Sequence, residues 1–532
     1  MADTSRKDSP SLIHHFLERS AALFPDQIAV VHEKNRVEYA RLNRTANQLA
    51  HCLLQDGIRE GDRVAFLSEN SLDYIVCYYG ILKAGGMAVA LNTELKPEGY
   101  AELLRELEPA VLIVSRKFEA AVHSLDLSPL RIRRLYVIHP RLSLPPAGGT
   151  MRSFTEALSG QPEHNPELNM SPQACANIIY TSGTAKKPRG VMLSHANIIA
   201  NTRAIVAYLE LTSKDVQMVV LPFFYVMGLS LLNTHIAVGG RIVINNQFAY
   251  TASVLKQMKD EGVTGFSGVP STYAHLVFKS PLARYRDQLP ELRYCSQAGG
   301  HMPRSIKREL LEQLPPQTRL FVMYGATEAS ARLTYVPPAA LKSKIDSIGK
   351  PIAGVEIIIR SPDGEALKQG ETGELVARGD NIMLGYYKDP SATAAVLDQN
   401  GYHTGDFGYY DDEGFLFLVG RRDRQVKVGG HRINPQEIED VIIESGRASE
   451  CLVFGLADSS SDDRLTGLVV PLGETGDAVS AILRYCAVRL PKYKIPTSLQ
   501  IVAAIPHNSS GKPDLARGLE IYEELMPAPP KR

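Results

Sequence analysis

The sequence predicts an α/β protein with a large N-terminal body of parallel α/β sheets, a small β-rich unit within that body, and a small, mobile α+β domain at the C-terminus. Three observations lead to this prediction. Short aliphatic runs alternate with helical patterns up to about residue 340, short strands broken by Gly and Asp follow between roughly 348 and 422, and a compact tail begins at Asp423. Alternating strands and helices are typical of parallel sheets covered by helices.

The N-terminal part shows this alternation directly. The apolar run 29–31 precedes the segment 42–53, in which leucine and alanine recur at the i, i+3, i+4 spacing of one helix face. The runs 63–67 and 87–91 each precede another helical pattern. Repetition of this unit predicts parallel strands with helices on both faces of the sheet.

The pattern of predicted elements changes twice in the last third of the chain. The runs 355–359 and 415–419 are short and separated by Gly and Asp, which predicts the β-rich unit. The tail of about 110 residues is long enough for a core of its own, so we predict two domains, residues 1–422 and 423–532, with the boundary between Arg422 and Asp423. Helices and strands of the tail are predicted over 435–444, 478–489, 451–454 and 467–470.

Composition disfavours several classes of partner. The 532 residues are 44% hydrophobic and carry 58 basic and 58 acidic side chains, and this balance gives no support for nucleic acid or an anionic membrane as a partner. The longest apolar stretch, around 219–232, contains Pro222 and falls short of the roughly 18 to 20 residues that a membrane span needs. No integral membrane association is therefore expected.

The cysteines and the first residues predict a compartment. Six cysteines are scattered without a C-x-x-C pair, which is typical of reduced thiols rather than of a disulfide framework or a zinc site. The N-terminal segment is polar and lacks the apolar core of a signal peptide. Both observations predict a cytoplasmic protein.

The most distinctive stretch of the chain is 180–191, which lies between the apolar runs 178–179 and 191–193. It combines hydroxyl residues, glycines and cations, which predicts an anion-binding loop between two strands. Ser194 follows as the expected N-cap of a helix over 195–209. The glycine spacing does not match a Walker A loop. The candidate phosphate-binding residues are Thr181, Ser182, Gly183, Thr184, Lys186 and Arg189.

Four further blocks follow this loop at wide spacing, namely Tyr324-Gly325-Ala326-Thr327-Glu328, Thr404-Gly405-Asp406, Gly420-Arg421-Arg422-Asp423 and Asn508-Ser509-Ser510-Gly511-Lys512. In this order the five blocks resemble the adenylate-forming superfamily, which contains acyl-CoA synthetases, peptide-synthetase adenylation domains and beetle luciferases. The resemblance covers nearly the whole chain, from segments at 39–44 and 82–86 to just past Lys512.

The resemblance implies that the protein binds ATP and Mg²⁺. Tyr324 follows an apolar run and is expected at the C-terminal end of a strand, where ligands bind in open α/β sheets. In the family this tyrosine lies against adenine, beside Gly325. Thr327 is then a donor to the α-phosphate, and Glu328 is the magnesium ligand, since Mg²⁺ prefers hard oxygen ligands. The wall facing the tyrosine is Gln297, Ala298, Gly299 and Gly300.

The later blocks resemble the family's ribose anchor, catalytic lysine and hinge. Asp406 stands at the ribose position and Arg421 at that of the arginine behind it. Lys512 is the expected catalytic cation, bridging the carboxylate of the acid and the α-phosphate. Asp423 is the expected hinge about which the C-terminal domain rotates between two half-reactions. After rotation, the arm of coenzyme A or of a carrier-protein phosphopantetheine would pass along backbone at Gly429 and Gly430.

The acid pocket is expected around the segment 221–229. This segment contains no acidic residue, and an unpaired buried ammonium would cost about 3 to 5 kcal/mol, so α-amino acids are not expected substrates. Tyr225 stands where CoA ligases usually carry histidine. The candidate pocket residues are Phe224, Tyr225, Gly228 and Gly300.

The resemblance therefore implies a ligase that converts a fatty or aryl acid to an acyl-adenylate and transfers the acyl group to coenzyme A. An acyl carrier protein is the alternative acceptor, and a luciferase-type oxidase and a non-catalytic nucleotide binder are the rival functions. The phosphate loop departs from the family at Ala185, Lys186 and Arg189. We expect the extra cation Lys186 to strengthen ATP binding without contributing to catalysis.

Overall fold

The computed structural model describes residues 10–141, 151–181, 188–421, 424, 426–428, 431–457, 463–473, 476–508 and 511–526. The helices of this part of the chain are α1 His14–Leu23, α2 Tyr39–Gln55, α3 Leu72–Lys83, α4 Pro97–Leu107, α5 Glu119–His123, α6 Phe154–Leu158, α7 His195–Leu209, α8 Val226–Val238, α9 Thr251–Asp260, α10 Pro270–Lys279, α11 Leu282–Tyr285, α12 Arg304–Gln313, α13 Pro390–Val396, α14 Pro435–Glu444, α15 Ala478–Arg489 and α16 Leu515–Leu525.

The strands alternate with these helices up to β14 and then follow one another closely. They are β1 Ile28–His32, β2 Asn35–Glu38, β3 Arg63–Leu67, β4 Met87–Ala90, β5 Val111–Ser115, β6 Arg134–Ile138, β7 Met151–Ser153, β8 Cys175–Thr181, β9 Arg189–Ser194, β10 Val216–Val219, β11 Arg241–Ile244, β12 Gly265–Gly268, β13 Tyr294–Gln297, β14 Arg319–Tyr324, β15 Thr334–Val336, β16 Ser347–Pro351, β17 Val355–Arg360, β18 Gly373–Gly379, β19 Gly385–Tyr386, β20 Leu397–Asp398, β21 Gly401–Tyr410, β22 Leu416–Arg421, β23 Val426–Val428, β24 His431–Ile433, β25 Ala448–Ala457, β26 Asp463–Pro471 and β27 Ser498–Ile501.

The body consists of two large sheets. One has the order β17-β18-β21-β22-β16-β15-β14-β13-β12-β10-β11-β1-β2, with β20 paired to β21. Its strands β10 to β14 and β1 pair in parallel, whereas β15 to β18 and β20 to β22 pair antiparallel. The predicted β-rich unit is therefore an extension of this sheet rather than a sheet of its own, because β15 and β16 continue the hydrogen bonding of β14.

The second sheet has the order β19-β9-β8-β4-β3-β5-β6-β7. Its parallel strands are those of the N-terminal β-α units, whereas β9 pairs antiparallel with β8 and with β19. The phosphate loop predicted from the sequence connects β8 to β9. This sheet therefore holds the start and end of the loop, Thr181 and Arg189, on two neighbouring strands.

Local sequence explains the element that follows the loop. Ser194 accepts a hydrogen bond from the backbone of Asn197, and the Asn197 side chain accepts one from the backbone N–H of Ser194, which forms a capping box at the start of α7. The predicted helix over 195–209 and its N-cap are confirmed. The predicted α/β class with a large body and a smaller C-terminal part is confirmed as well.

The C-terminal part has its own three-stranded sheet, β25-β26-β27, and a two-stranded hairpin, β23-β24. Leu452, Phe454, Leu468 and Tyr522 are buried in an apolar core formed within this part. The helices predicted over 435–444 and 478–489 match α14 and α15. Residues 422 and 423 lie outside the described residues, so the domain boundary there stays a prediction. Along the described chain, no helix combines the length and apolarity needed to cross a membrane.

Candidate active site

The site lies at the C-terminal end of β14, where Tyr324 is the last residue of the strand. The Tyr324 hydroxyl donates a hydrogen bond of 2.6 Å to Oδ2 of Asp406, on β21. Burial, reinforced by the Asp406 charge, raises the pKa of Tyr324 above its ordinary value. Antiparallel pairing of β21 with β22 places Arg421 opposite Asp406, with Nε 3.7 Å from Oδ1. The structure thus brings together three residues that the sequence placed in separate blocks.

Glu328 lies in a single 3₁₀ turn, Thr327–Ala329, directly after β14. Its Oε1 accepts a 2.8 Å hydrogen bond from the hydroxyl of Tyr386. The Arg189 guanidinium lies over the Tyr386 ring at 5.3 Å and 3.9 Å from Oδ2 of Asp389. This arrangement arises because β19, which carries Tyr386, pairs with β9, which begins at Arg189.

Tyr386 and Asp389 were not recognised from the sequence. Tyr386 lies within a Gly-Tyr-Tyr stretch that Asp389 follows, outside the five blocks, and Tyr386 is 58 residues from Glu328. The pairing of β19 with β9 is the signal that identifies them, and this pairing is visible only in the folded sheet. Arg189, predicted as a phosphate ligand, lies on the same side of the site as Glu328.

A magnesium ion at this site would take ligands from a bound nucleotide as well as from the protein. Among the described residues, no group of three or more His, Cys, Asp and Glu side chains could hold a metal ion. Glu328 offers one hard carboxylate, with the Thr327 hydroxyl beside it in the sequence. Mg²⁺ is commonly bound by one or two carboxylates together with phosphate oxygens and water, so the residues present suit a magnesium ion that arrives with a nucleotide.

Lys512 reaches this site from the C-terminal part of the chain. The Lys512 side chain is exposed to solvent. Nearby protein atoms still partly desolvate the ammonium, and this burial lowers the pKa of Lys512. Arg421 lowers this pKa further, while Asp406 and Glu328 oppose the shift. Water therefore contacts Lys512 although protein atoms lie close to its ammonium. The charged residues of the predicted nucleotide site therefore act on the Lys512 ammonium.

A backbone contact holds the Lys512 loop against the body. Ser271, at the start of α10, donates a hydrogen bond of 3.3 Å from Oγ to the Gly511 carbonyl. Gly511 has a φ of +75°, and a Cβ there would lie 2.9 Å from the Val269 side chain. The left-handed backbone and the close packing both require glycine at this position. Ser271 and Val269 are contact residues that the sequence motifs did not indicate.

The predicted wall lies beside this contact. Gln297 and Ala298 are buried at the end of β13, and Nε2 of Gln297 donates 2.8 Å to the Gly300 carbonyl. Gly299 has a φ of +89° and packs against Val269. Gly325 is tightly enclosed as well, because a Cβ there would lie 2.1 Å from the Ala331 carbonyl oxygen.

The predicted acid-pocket segment forms the entrance to α8. Phe224 is buried, Tyr225 is half-buried, and their ring centroids are 4.4 Å apart. The Tyr225 hydroxyl accepts a 3.4 Å hydrogen bond from Nδ2 of Asn92. A Cβ at Gly228 would lie 2.0 Å from the Pro222 carbonyl, so glycine allows the first turn of α8 to pack on this segment.

The structure describes only part of the predicted phosphate loop, hinge and arm-binding segment. Thr181 ends β8 and is half-buried. The remaining loop residues and the predicted hinge and arm-binding residues lie outside the described residues; they are Ser182, Gly183, Thr184, Lys186, Asp423, Gly429 and Gly430.

A hydrogen bond and an ion pair connect the C-terminal part to the body in this arrangement. Nε2 of His301, next to Gly300, lies 2.9 Å from Oδ1 of Asp440 on α14. Arg304, at the start of α12, lies 3.5 Å from Glu444 of α14. The sequence did not indicate these residues, which connect α14 to the body in the same arrangement that brings Lys512 to the site. We call His301, Arg304, Asp440 and Glu444 the lid contact.

Comparisons with known proteins cover nearly all of the chain. A family model described as AMP-binding enzyme matches residues 17–387, and one described as AMP-binding enzyme C-terminal domain matches residues 437–512. A 2-succinylbenzoate–CoA ligase of Bacillus cereus (strain ZK / E33L) is 29% identical over 500 residues, which are 94% of this chain and 96% of that one. A probable CoA ligase of Humulus lupulus is 28% identical, with 93% and 94% covered.

Solved structures agree with this result. The o-succinylbenzoate CoA synthetase of Bacillus subtilis, in complex with its acyl-adenylate intermediate, superposes with a TM-score of 0.79 at 27% identity and covers 94% of this chain and 96% of that chain. An anthranilate CoA ligase in complex with anthranoyl-AMP has a TM-score of 0.87 at 23% identity, covering 98% and 99%. At that identity the second likeness shows the fold alone.

Proposed function

The chain belongs to the AMP-binding enzyme family, and on that premise we propose that it is an AMP-forming acid–thiol ligase. It activates a carboxylic acid with ATP and transfers the acyl group to the thiol of coenzyme A. The relatives reported above are named CoA ligases, which supports coenzyme A as the acceptor. None of those relatives supports an acyl carrier protein, and none supports a role in fatty acid metabolism.

One observation carries this proposal. Lys512, from the C-terminal part, lies close enough to Glu328, Asp406 and Arg421 for their charges to act on its ammonium. A nucleotide-binding protein without chemistry has no need for a mobile cation at this point. A ligase needs one, because a carboxylate anion must approach a phosphate anion.

In the first half-reaction, an oxygen of the acid's carboxylate attacks the α-phosphorus of ATP. The bond to the bridging oxygen breaks, and pyrophosphate leaves with its electron pair. The proposal assigns Lys512 to the charge that develops between carboxylate and α-phosphate, and Tyr324 and Asp406 to the adenosine. Glu328 would hold Mg²⁺, which neutralises phosphate charge when it is bound.

In the second half-reaction, the thiol sulfur of coenzyme A attacks the acyl carbon. AMP leaves, the thiol proton is released, and a thioester forms. We assign the intervening rotation to a hinge at Asp423 and the path of the pantetheine arm to Gly429 and Gly430. The proposed substrates ATP and coenzyme A, together with the six unpaired cysteines, favour a cytoplasmic location as part of this proposal.

The experiment that tests the proposal is acid-dependent exchange of labelled pyrophosphate into ATP. We expect exchange with aryl or aliphatic acids to exceed exchange with any α-amino acid by about 30-fold or more, because no acidic residue of the segment 221–229 could pair with a buried ammonium. Exchange with one amino acid alone would refute this substrate class. ATP binding without exchange for any acid would identify a non-catalytic binder, and oxygen-dependent light emission would identify an oxidase.

The lid contact leads to a second expected result. Asp440→Asn combined with Glu444→Gln should lower exchange by about 3- to 10-fold, since two partly exposed polar contacts contribute up to about 1 kcal/mol each. Thioester formation from a supplied acyl-adenylate should remain unchanged, because the lid has then left the body.

The matched control for the lid contact is Asp477→Asn. It removes an exposed pair with Arg484 within the C-terminal part, where the two atoms are 2.7 Å apart. Equal loss of both half-reactions in the double variant would show that α14 supports folding and not the position of the lid.

A further inference from the structure

The segment 383–389 joins the strand that leaves the predicted phosphate loop to the turn that carries Glu328. At one end, the N–H of Tyr387 donates a hydrogen bond of 2.7 Å to the Gly190 carbonyl of β9. At the other end, the N–H of Met383 donates one of 2.8 Å to the Glu328 carbonyl. The segment is therefore bonded both to the exit of the loop and to the backbone of the proposed magnesium ligand.

Side chains repeat this connection. The Tyr386 hydroxyl donates a hydrogen bond of 2.8 Å to Oε1 of Glu328. The Arg189 guanidinium lies 5.3 Å from the centroid of the Tyr386 ring, within the distance of about 6 Å at which a cation is attracted to a ring face. The Tyr386 side chain therefore contacts the first residue of β9 with its ring and the Glu328 carboxylate with its hydroxyl.

The short helix α13 fixes the position of this tyrosine. The N–H of Tyr386 donates a hydrogen bond of 2.8 Å to Oγ1 of Thr393. Gly385 has a φ of +140°, and a Cβ there would lie 2.8 Å from the Thr393 side chain. Oδ1 of Asp389 accepts a hydrogen bond of 2.9 Å from the N–H of Ala392 at the start of the helix. Both the ring of Tyr386 and the carboxylate of Asp389 are therefore attached to one rigid element.

Asp389 also bears on the arginine. Its Oδ2 lies 3.9 Å from Nε of Arg189, while its Oδ1 is used at the helix start. The guanidinium thus has an anion and an aromatic ring as neighbours, and α13 holds both. Groups whose positions are fixed by packing and hydrogen bonds can hold a further side chain in one orientation.

We infer that Arg189 and Tyr386 are positioning residues that orient the Glu328 carboxylate for magnesium. Tyr386 acts on Glu328 through its hydroxyl, and Arg189 acts through the Tyr386 ring. Hydrogen bonds to a ligating carboxylate fix its direction, and their loss commonly weakens metal binding by about 10- to 100-fold. Arg189 then differs from the phosphate ligand expected from the sequence. This inference rests on the proposed function, because it takes Glu328 as the metal ligand.

The test is a double-mutant cycle of Arg189→Gln and Tyr386→Phe. The affinity for Mn²⁺, a substitute for Mg²⁺, is measured from the electron paramagnetic resonance signal of the free ion. Saturating α,β-methylene-ATP is present, because its α–β bridge is not cleaved. Tyr386→Phe should weaken Mn²⁺ binding by about 10-fold and Arg189→Gln by about 3-fold. The double variant should match Tyr386→Phe, since Arg189 has no further effect once the hydroxyl is lost.

Two results would overturn the inference. If the two losses multiplied to about 30-fold in the double variant, Arg189 would act independently of Tyr386. The second result concerns binding of the analogue in the presence of a chelator, which Arg189→Gln should leave unchanged. A loss of about 10-fold or more without any divalent ion would assign Arg189 to a phosphate group. If the wild-type protein bound neither the analogue nor Mn²⁺, the proposed function itself would be refuted.

The matched control is Arg319→Gln, at the start of β14 and so at the far end of the strand from the site. Arg319 lies 5.6 Å from the Phe321 ring centroid and 3.1 Å from Glu210, and its side chain is 38% exposed, close to the 43% of Arg189. This variant should bind Mn²⁺ as wild type does.

A conservative variant completes the test. Arg189→Lys should restore part of the Mn²⁺ affinity, because an ammonium is also attracted to a ring face. Equal weakening of Mn²⁺ binding and of metal-free analogue binding in Arg189→Gln, together with a lower melting temperature, would show that the residue supports the fold and would overturn the inference.

Discussion

We expect Lys512→Ala to reduce acid-dependent ATP–pyrophosphate exchange by about 100-fold or more and to leave thioester formation from a supplied acyl-adenylate active. The size follows from the loss of a cation placed at developing charge in a partly desolvated site. Burial and the Arg421 charge lower the pKa of Lys512, as expected for a cation close to the charged groups of the proposed site. The second half-reaction occurs after the lid has rotated, so it does not use this cation.

The pH profile gives a second measurement of the same prediction. An ammonium is charged below its pKa and neutral above it, so exchange should fall as the pH rises through the lowered pKa of Lys512. This loss should begin at a lower pH than the pKa of an ordinary lysine would give. Lys492→Ala, at an exposed lysine of the same domain, is the control and should behave as wild type. If Lys512→Ala reduced both half-reactions equally, the lysine would be a structural residue.

Glu328→Gln should lower kcat/KM for ATP by about 100-fold and raise the magnesium concentration needed for half-maximal exchange. The amide keeps the shape of the side chain and can still accept a hydrogen bond from the Tyr386 hydroxyl, which lies 2.8 Å from Oε1. It lacks the charge that a hard cation requires. The measurement is exchange as a function of magnesium at a fixed ATP concentration.

Two further variants make this test specific. Tyr386→Phe removes the hydrogen bond and keeps the carboxylate, so it should shift the magnesium dependence less than Glu328→Gln does. Glu356→Gln changes an exposed carboxylate of β17 and should have no effect. An unchanged magnesium requirement in Glu328→Gln, with full activity, would remove Glu328 as a metal ligand.

Local pattern predicted much of the fold because the relevant forces act over a few residues. The capping box at Ser194 satisfies helix N–H groups within one turn, and the apolar run before Tyr324 forms β14 with Tyr324 at its end. The β-rich unit was predicted as strands, but its place in the large sheet was not. That place depends on the pairing of β15 with β14 and β16, which no local pattern specifies.

The residues of the candidate site also fall into those that the sequence identified and those that it did not. Tyr324, Glu328, Asp406 and Lys512 were identified because they stand in blocks whose order resembles a known superfamily. Tyr386, which contacts Glu328, was not identified, because it stands in none of these blocks. A tyrosine in a short strand is ordinary in sequence, and only its burial and its partner distinguish Tyr386.

The sequence by itself determined the α/β class, the family and the residues of the five blocks, since periodicity and motif chemistry are properties of neighbouring residues. Only the tertiary structure decided which of these residues meet. Tyr324 and Asp406 are 82 residues apart, yet their side chains are joined by a 2.6 Å hydrogen bond, and Gly511 contacts Ser271 across 240 residues. Such contacts exist because strands pair and domains dock over long sequence separations, and burial then fixes the charge environment of each group.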